Sequence, residues 1–580
     1  MRLVTLPVVF TALLATPTTV LALWPIPKTL QTGSTPLKLS SNFKININIP
    51  HAPSDLHAAV QRTITHLKTD NLQRLVKDRG AADLKAIHQH TTHTLSSLTL
   101  SLSGSHTSAA AAVTSIAEEA VKPIGTRSEG YTVHVPADGS PATITANSTL
   151  GLFRGLTTFE QLWYTSAGGQ VYTLESPVEI TDFPSVPDGV DLGKPYRGLM
   201  LDTSRNFFPV KDIKRTLDAM SMAKINTLHW HATDSQSFPL QIPGFTEISA
   251  MGAYGPDMVF TPSDIKDIVS YAGERGIDVV VEIDTPGHTA IISESHPEHI
   301  ACLQAVPWSD FANEPPAGQL RLASPATANF TADLLSAAAK LFASSLFSTG
   351  GDELNSNCYV HDAETQKMLN ATGRTLEQAL DAFTQTTHGA LRKLGKTPVV
   401  WEEMVLDHNV TLSNDTVVMV WISSMNAAAV AKKNFRIVHA PSDFFYLDCG
   451  AGEWIGADPT GNSWCDPFKT WQKSYTFDPL ANISAANAHL VLGGEQLLWA
   501  EQSSPANLDS IVWPRAASSA EVFWTGATLP DGSPRAINGA AGALPRLHDL
   551  RYRMVQRGIN AIPLQPHWCA VRPGVCDLTA

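Results

Sequence analysis

Asp352 and Glu353 follow two glycines at the end of an apolar run, Leu346-Phe347-Ser348-Thr349-Gly350-Gly351. Inside a regular strand, neighbouring side chains point to opposite faces, so the two carboxylates can reach one ligand only where the chain turns. The glycine pair permits such a turn and lets a ligand come close to the backbone. An isolated Asp-Glu dipeptide is usually a solvated pair or a helix cap. Its position after a strand and a Gly-Gly favours carboxylate chemistry on a shared substrate.

Positioning such a pair calls for a scaffold of strand ends. Between residue 186 and the C-terminus the sequence alternates strand and helix patterns. Candidate strands are Tyr196 to Asp202, Thr227 to His231, Asp278 to Ile283, Leu346 to Gly350, Pro398 to Glu402, Val417 to Trp421, Arg436 to Ala440 and Leu490 to Gly494. The intervening helices carry start and stop signals: Thr261-Pro262-Ser263-Asp264 reads as a cap, Ile265, Ile268, Val269 and Ala272 share a face, and Gly276 is the stop. The pattern predicts an α/β chain whose C-terminal part, residues 186–580, is a (β/α)8 TIM barrel with its chemistry at the C-terminal ends of the strands. Residues 23–185 mix helical and alternating stretches, such as Asp55 to Leu75 and Tyr131 to Val135, and predict a small α+β domain. A Ser/Ala-rich stretch from Ser103 to Val113 reads as an exposed loop or processing site, which makes residues 23–100 a possible pro-segment.

The predicted strand ends are rich in polar and aromatic residues: Asp202 and Arg205, His229 to Asp234, Glu282 to His288, Trp401 to Glu403, Trp421, Tyr446 to Asp448, and Glu495 to Glu501. Tryptophans beside carboxylates suit a sugar, whose C–H faces stack on rings and whose hydroxyls bind charged groups. His229 and His231 stand two apart on a strand and invite a metal reading, but no third ligand is strongly placed. No phosphate-binding GxxxxGK[ST] motif occurs. No metal and no organic cofactor is expected.

The chain of 580 residues opens with Arg2, a short apolar run and small residues up to Ala22, the pattern of a secretory signal peptide over residues 1–22. No later stretch is apolar and long enough to cross a bilayer, so a secreted, extracellular protein is expected. Cys302, Cys358, Cys449, Cys465, Cys569 and Cys576 fit an oxidising destination, with sequential pairing the expected arrangement. Six sequons at Asn147, Asn329, Asn370, Asn409, Asn414 and Asn482 are glycosylation candidates. A net charge of -13 argues against nucleic acid and against anionic membranes as partners.

Taken together, Arg197-Gly198-Leu199-Met200-Leu201-Asp202-Thr203-Ser204-Arg205, Leu228-His229-Trp230-His231, Asp284-Thr285-Pro286-Gly287-His288, Gly350-Gly351-Asp352-Glu353 and Trp513-Pro514-Arg515 resemble family 20 glycoside hydrolases, the β-N-acetylhexosaminidases. The segment Tyr446 to Tyr475 is most similar to the secreted fungal branch. Ser348 stands where many members carry histidine.

The resemblance implies an exo-acting, retaining hydrolase of β-linked N-acetylhexosaminides in which the substrate's acetamido oxygen, and no enzyme group, attacks the anomeric carbon. It implies that Glu353 is the general acid and base, with a pKa raised by burial, and that Asp352 stays ionised and orients the acetamido group. It further implies that Tyr446 bonds the acetamido oxygen and that Trp401, Trp421 and Trp499 wall the pocket. Arg197 is expected on the 3- and 4-hydroxyls, Glu501 on the 4-hydroxyl and Asp448 on the 6-hydroxyl. Asp234, His288 and His231 are expected to steady the acid, and a homodimer is a family expectation. Two other readings stand beside this one: a catalytically silent sugar-binding protein with the same pocket, and a metal-dependent hydrolase using His229 and His231.

Overall fold

The computed structural model describes residues 21–578 other than 90, 104–112, 185–193, 530 and 538–541. The expected signal peptide up to residue 20, and nearly all of the Ser/Ala-rich stretch, lie outside the described residues. No helix among the described residues is long and apolar enough to cross a membrane.

Alternating patterns in the first part of the chain form a six-stranded sheet: β1 (Thr29–Ile47), β2 (His93–Leu102), β3 (Tyr131–Val135), β4 (Ala142–Ala146), β5 (Tyr164–Thr165) and β6 (Val171–Asp182). The spatial order is β1-β2-β4-β3-β6-β5, and β1 also pairs with β6. Leu98, Leu100, Val133 and Ile144 project from one face onto the helices Ser54–Thr69 and Thr149–Glu160, where Leu56, Val60, Leu156 and Phe159 complete a core. Residues 23–100 supply β1 and most of β2, and Trp24 is tied to both domains through its backbone N–H to Gln161 and its indole N–H to Ala517 O.

The strand–helix alternation that follows closes into a barrel. Its strands are β7 (Tyr196–Asp202), β8 (Thr227–Thr233) and β9 (Asp278–Ile283), then, beyond a two-residue ladder of β10 (Ile300–Ala301) with β11 (Gln319–Leu320), β12 (Leu346–Ser348), β13 (Thr397–Trp401), β14 (Val417–Val420), β15 (Arg436–His439) and β16 (Val491–Leu498). The order β12-β13-β14-β15-β16-β7-β8-β9 is closed and its pairings are parallel. The predicted strands are all present, with β16 running on to Leu498. Parallel strands covered on both faces read as apolar runs, which is why their positions were legible. The helix Pro262–Gly273 starts on the expected capping box of Thr261 and Asp264.

The two domains meet over buried charge at the base of the barrel. Glu129 accepts from Arg154 and from Arg197, and Lys224 donates to Asp182 and to the Tyr131 hydroxyl. Disulfides join Cys302 to Cys358, Cys449 to Cys465 and Cys569 to Cys576.

Candidate active site

The turn after β12 depends on its glycines. Gly350 and Gly351 have φ of 65° and 94°, and a Cβ on Gly350 would sit 1.8 Å from Asp284 Oδ1. Gly351 N–H donates to that same Asp284 oxygen at 2.8 Å. The turn carries Glu353 into a left-handed φ of 54°, a strained conformation for a glutamate that its surroundings must hold in place. Asp352 and Glu353 consequently line one cavity of about 200 Å3 at the C-terminal ends of the strands.

Aromatic side chains from four strand ends wall this cavity. Trp421 and Tyr446 lie nearly parallel, with ring centres 6.3 Å apart, and Trp499 stands 6.3 Å from Trp401 and 6.2 Å from Tyr446. Trp421 donates its indole N–H to Glu403 at 2.9 Å. Asp448 and Glu501 complete the polar lining, together with Arg205, Glu314 and Asn313. Trp464, 65% exposed, presents its edge to Trp421 and Tyr446 from the loop closed by Cys449 and Cys465. A larger cavity of about 640 Å3 lies between the sheet and the base of the barrel. Its Arg127, Glu129 and Asp182 are already engaged by Asp278, by Arg154 and Arg197, and by Lys224, and its Lys194 donates to the carbonyl oxygens of Ala488 and Val491.

Arg197 requires a correction. Its guanidinium is buried at the base of the barrel, bonded to both oxygens of Glu129 at 2.7 and 2.6 Å and to Lys224 O at 2.9 Å, and it does not line the pocket. It stands near the start of β7, and a strand of this length separates its two ends by roughly 20 Å. Arg205, just past the end of the same strand, is the arginine of the pocket. It pairs with Asp234 at 2.9 Å and Glu314 at 2.5 Å and lies over the Trp499 ring. The strand-end rule carried this signal, since chemistry gathers at the C-terminal ends.

The ionisation of the two carboxyls also differs from expectation. His288 Nδ1 bonds Asp234 at 3.1 Å, and its Nε2 stands 3.4 Å from Glu353 Oε2 and 3.7 Å from Asp352 Oδ2. Burial lowers the His288 imidazole, but Asp234 and Glu353 overcome this and hold it well above its ordinary value. Burial pushes the Glu353 carboxyl up, and the hydrogen bond and charge of His288, with Arg205, bring it below its ordinary value. Asp352 is pushed up to about 7, chiefly by burial, against the opposing charge of His288. Asp284 is driven well above its ordinary value by burial and by Asp352. Asp352 is thus the member of the pair held high, burial being joined by the charges of Glu403 and Glu353, and Glu353 is the member held low, because the cation lies beside it. Burial also raises Asp448 to about 7 and Glu501 well above its usual range.

Asp234 and His231 stand where they can steady the acid: His231 Nε2 meets Asp234 Oδ2 at 2.8 Å, and Asp234 holds His288. Both ring nitrogens of His229 and of His231 face carboxylates, which leaves neither ring a free lone pair for a metal ion. All six sequon asparagines are exposed.

The model of glycosyl hydrolase family 20, catalytic domain, matches residues 195–527, and that described as beta-acetyl hexosaminidase like matches residues 23–162. A beta-hexosaminidase of Arthroderma benhamiae is 36% identical over 470 residues, covering 78% of this chain and 74% of its own. A chitooligosaccharidolytic beta-N-acetylglucosaminidase of Bombyx mori is 34% identical over 468 residues, covering 77% of this chain and 74% of its own. The crystal structure of the Flavobacterium johnsoniae chitobiase is similar with a TM-score of 0.71 at 25% identity, over 93% of this chain and 73% of that one.

Proposed function

The chain belongs to glycoside hydrolase family 20, and on that premise we propose that it is an exo-acting, retaining β-N-acetylhexosaminidase that removes terminal N-acetylglucosamine or N-acetylgalactosamine from chitin oligomers and glycans. The observation that carries the mechanism is the Gly350-Gly351 turn, which brings adjacent carboxylates into one aromatic-walled cavity with His288 against the second of them.

The reaction needs Asp352 ionised and Glu353 protonated, the reverse of the arrangement described above. The two differ only in the site of one proton. A substrate whose acetamido N–H donates to Asp352 favours the ionised form of that carboxyl, and the proton is then best carried by Glu353. The acetamido oxygen attacks the anomeric carbon as the glycosidic C–O bond breaks, and Glu353 gives its proton to the departing oxygen. The oxazolinium that forms is positive, and Asp352 faces it as a carboxylate. Glu353 next takes a proton from water, whose oxygen opens the oxazolinium with retained configuration. Tyr446 is placed to bond the acetamido oxygen, and holding that oxygen near the reacting carbon makes the attack internal. Arg205 takes the 3- and 4-hydroxyl role, with Glu501 on the 4-hydroxyl and Asp448 on the 6-hydroxyl.

Secretion through the leader, retention of residues 23–100 and use of the sequons belong to the same reading, as does a homodimer. Comparing nitrophenyl β-N-acetylglucosaminide with nitrophenyl β-glucoside, which lacks the acetamido group, tests the mechanism. Rapid turnover of the first and almost none of the second is expected; equal turnover would remove the acetamido group from the chemistry.

A further inference from the structure

A line of ionisable side chains crosses the interior of the barrel from its base to the pocket. The Tyr196 hydroxyl, at the start of β7, donates to Glu495 Oε2 at 2.6 Å. Glu495 Oε1 faces His229 Nδ1 at 2.9 Å, and the far nitrogen of that ring faces Glu282 Oε2 at 3.1 Å. Glu282 Oε1 meets His231 Nδ1 at 2.5 Å, and the contacts from His231 to Asp234 and from Asp234 to His288 carry the line to Glu353. His229, Glu282 and Glu495 are fully buried, and none of them lines the pocket.

The line alternates in charge. A neutral imidazole has one N–H, so a ring between two carboxylates would turn a lone pair toward one of them; only the imidazolium satisfies both. Burial opposes that charge, yet Glu495 and Glu282 hold His229 up at about 10, and the hydrogen bonds that His231 donates to Asp234 and Glu282 hold it at about 9. Glu282 is the node. It bonds both rings and also accepts from the Ser348 hydroxyl, so one carboxylate on β9 ties β8 to the strand that carries the catalytic turn. Buried ion pairs are weak contributors to stability compared with apolar packing of the same volume, so a chain of them in a barrel core points to a role beyond holding the fold.

We propose that Glu282 is a positioning residue for the general acid: by clamping the His231 ring it fixes Asp234, and through Asp234 it keeps the His288 ring directed at Glu353, while His229 and Glu495 anchor Glu282 from behind. The proposal rests on the reading of Glu353 as the acid. The groups facing Glu353 are His288, Arg205, Asn313, Asp352, Glu403 and Tyr446. His288 faces Asp234, Asp284, Asp352 and Glu353, and Asp234 faces His231, Arg205 and His288. The contact between His231 and Asp234 leads back to Glu282 through hydrogen bonds, and Glu282 also acts on Asp284 by charge alone. Removing the Glu282 charge releases the proton of His231, the cation nearer the pocket. Asp234 and Glu353 then lose a positive neighbour, so Glu353 binds its proton more readily and the acid limb of kcat/KM moves to higher pH.

The test is Glu282→Gln in the whole chain, assayed on chitobiose, whose leaving sugar needs a proton, and on a dinitrophenyl β-N-acetylglucosaminide, whose leaving group does not. We expect kcat on chitobiose to fall by on the order of tenfold to a hundredfold, the scale of a misplaced catalytic group. KM should stay within about threefold, the dinitrophenyl substrate should lose much less, and the acid limb should rise. Glu495→Gln, one link further back, should give the same pattern more weakly, and it decides the matter if Glu282→Gln does not fold. Equal losses on both substrates, or an unmoved acid limb, would overturn the proposal and leave Glu282 as core structure alone. Glu353→Gln, run alongside, separates the two readings. If it fails to discriminate between the leaving groups, the general-acid reading falls and takes this one with it; if it discriminates while Glu282→Gln and Glu495→Gln do not, this proposal alone is wrong.

Discussion

His288 Nε2 stands 3.4 Å from Glu353 Oε2, and the other nitrogen of the ring is held by Asp234 at 3.1 Å. The ring holds the Glu353 carboxyl below its ordinary value. In the proposed mechanism it also remains beside the carboxylate that is left when the proton has gone.

Glu353→Gln keeps the shape of the side chain and removes the proton. Turnover of glycosides with poor leaving groups should drop by about 10² to 10⁴, the usual worth of general acid catalysis. A dinitrophenyl glycoside should lose far less in its first step. A steady-state comparison of the two substrates reads this directly, and a uniform loss would speak against an acid role.

The pH profile follows from the shared proton. Asp352 holds it up to about 7, while Glu353 titrates below its ordinary value. Between those two titrations the pair carries one proton, and only then can one carboxyl donate while the other is charged. We expect kcat/KM to be flat at moderately acid pH. It should decline above about 7 as the last proton leaves, and below the Glu353 titration as a second proton arrives. Asp352→Asn removes the group that holds the proton highest, so its residual activity should have its alkaline limb at lower pH. A limb unchanged from the wild type would contradict the assignment.

Stability should carry its own pH signature. His229 and His231 are raised from 6.5 to about 10 and about 9. The stability they contribute is fully present below 6.5 and is lost as the pH rises through the folded values. Thermal melts from pH 6 to 10 should therefore show Tm falling, most steeply between about 7 and 9, where both folded rings keep a proton that the unfolded chain has lost, and more gently above. His229→Asn should be less stable at neutral pH and show a shallower alkaline fall.

Arg205 and Arg197 should separate cleanly. Arg205→Lys keeps the charge but loses the fork that spans Asp234 and Glu314, and KM should rise by about tenfold or more, whatever it also costs in Tm. Arg197→Met takes one charged partner from buried Glu129, a class of change that costs about 3 to 5 kcal/mol, so Tm should fall while the KM of the folded enzyme stays unchanged. The reverse outcome would restore Arg197 to the substrate.

The difference between these two arginines also marks the limit of what the sequence made legible. Strand positions such as Asp278–Ile283 were readable because a parallel barrel strand is a short apolar run between helices. The pair Asp352 and Glu353 was readable because its glycines precede it in the chain. Which end of β7 faces the substrate depends on strand direction, and that distinction was applied to Asp202 and not to Arg197. The ionisation of Asp352 and Glu353 was not legible, since it is set by burial in the folded pocket and by charges such as His288 and Glu403, brought in from other strand ends. Trp464 escaped notice because it reaches Tyr446 from within an irregular loop, closed by the disulfide from Cys449 to Cys465, that has no strand or helix pattern to place it.

The most direct test of the acetamido-assisted route is inhibition by a thiazoline that mimics the oxazolinium, measured against hydrolysis of nitrophenyl β-N-acetylglucosaminide. A mimic of the reaction's charged intermediate should bind at least about 10²-fold more tightly than the substrate's KM, as such analogues do. Hydrolysis indifferent to the thiazoline would contradict the account, leaving a glycosidase whose chemistry does not pass through the substrate's own acetamido group.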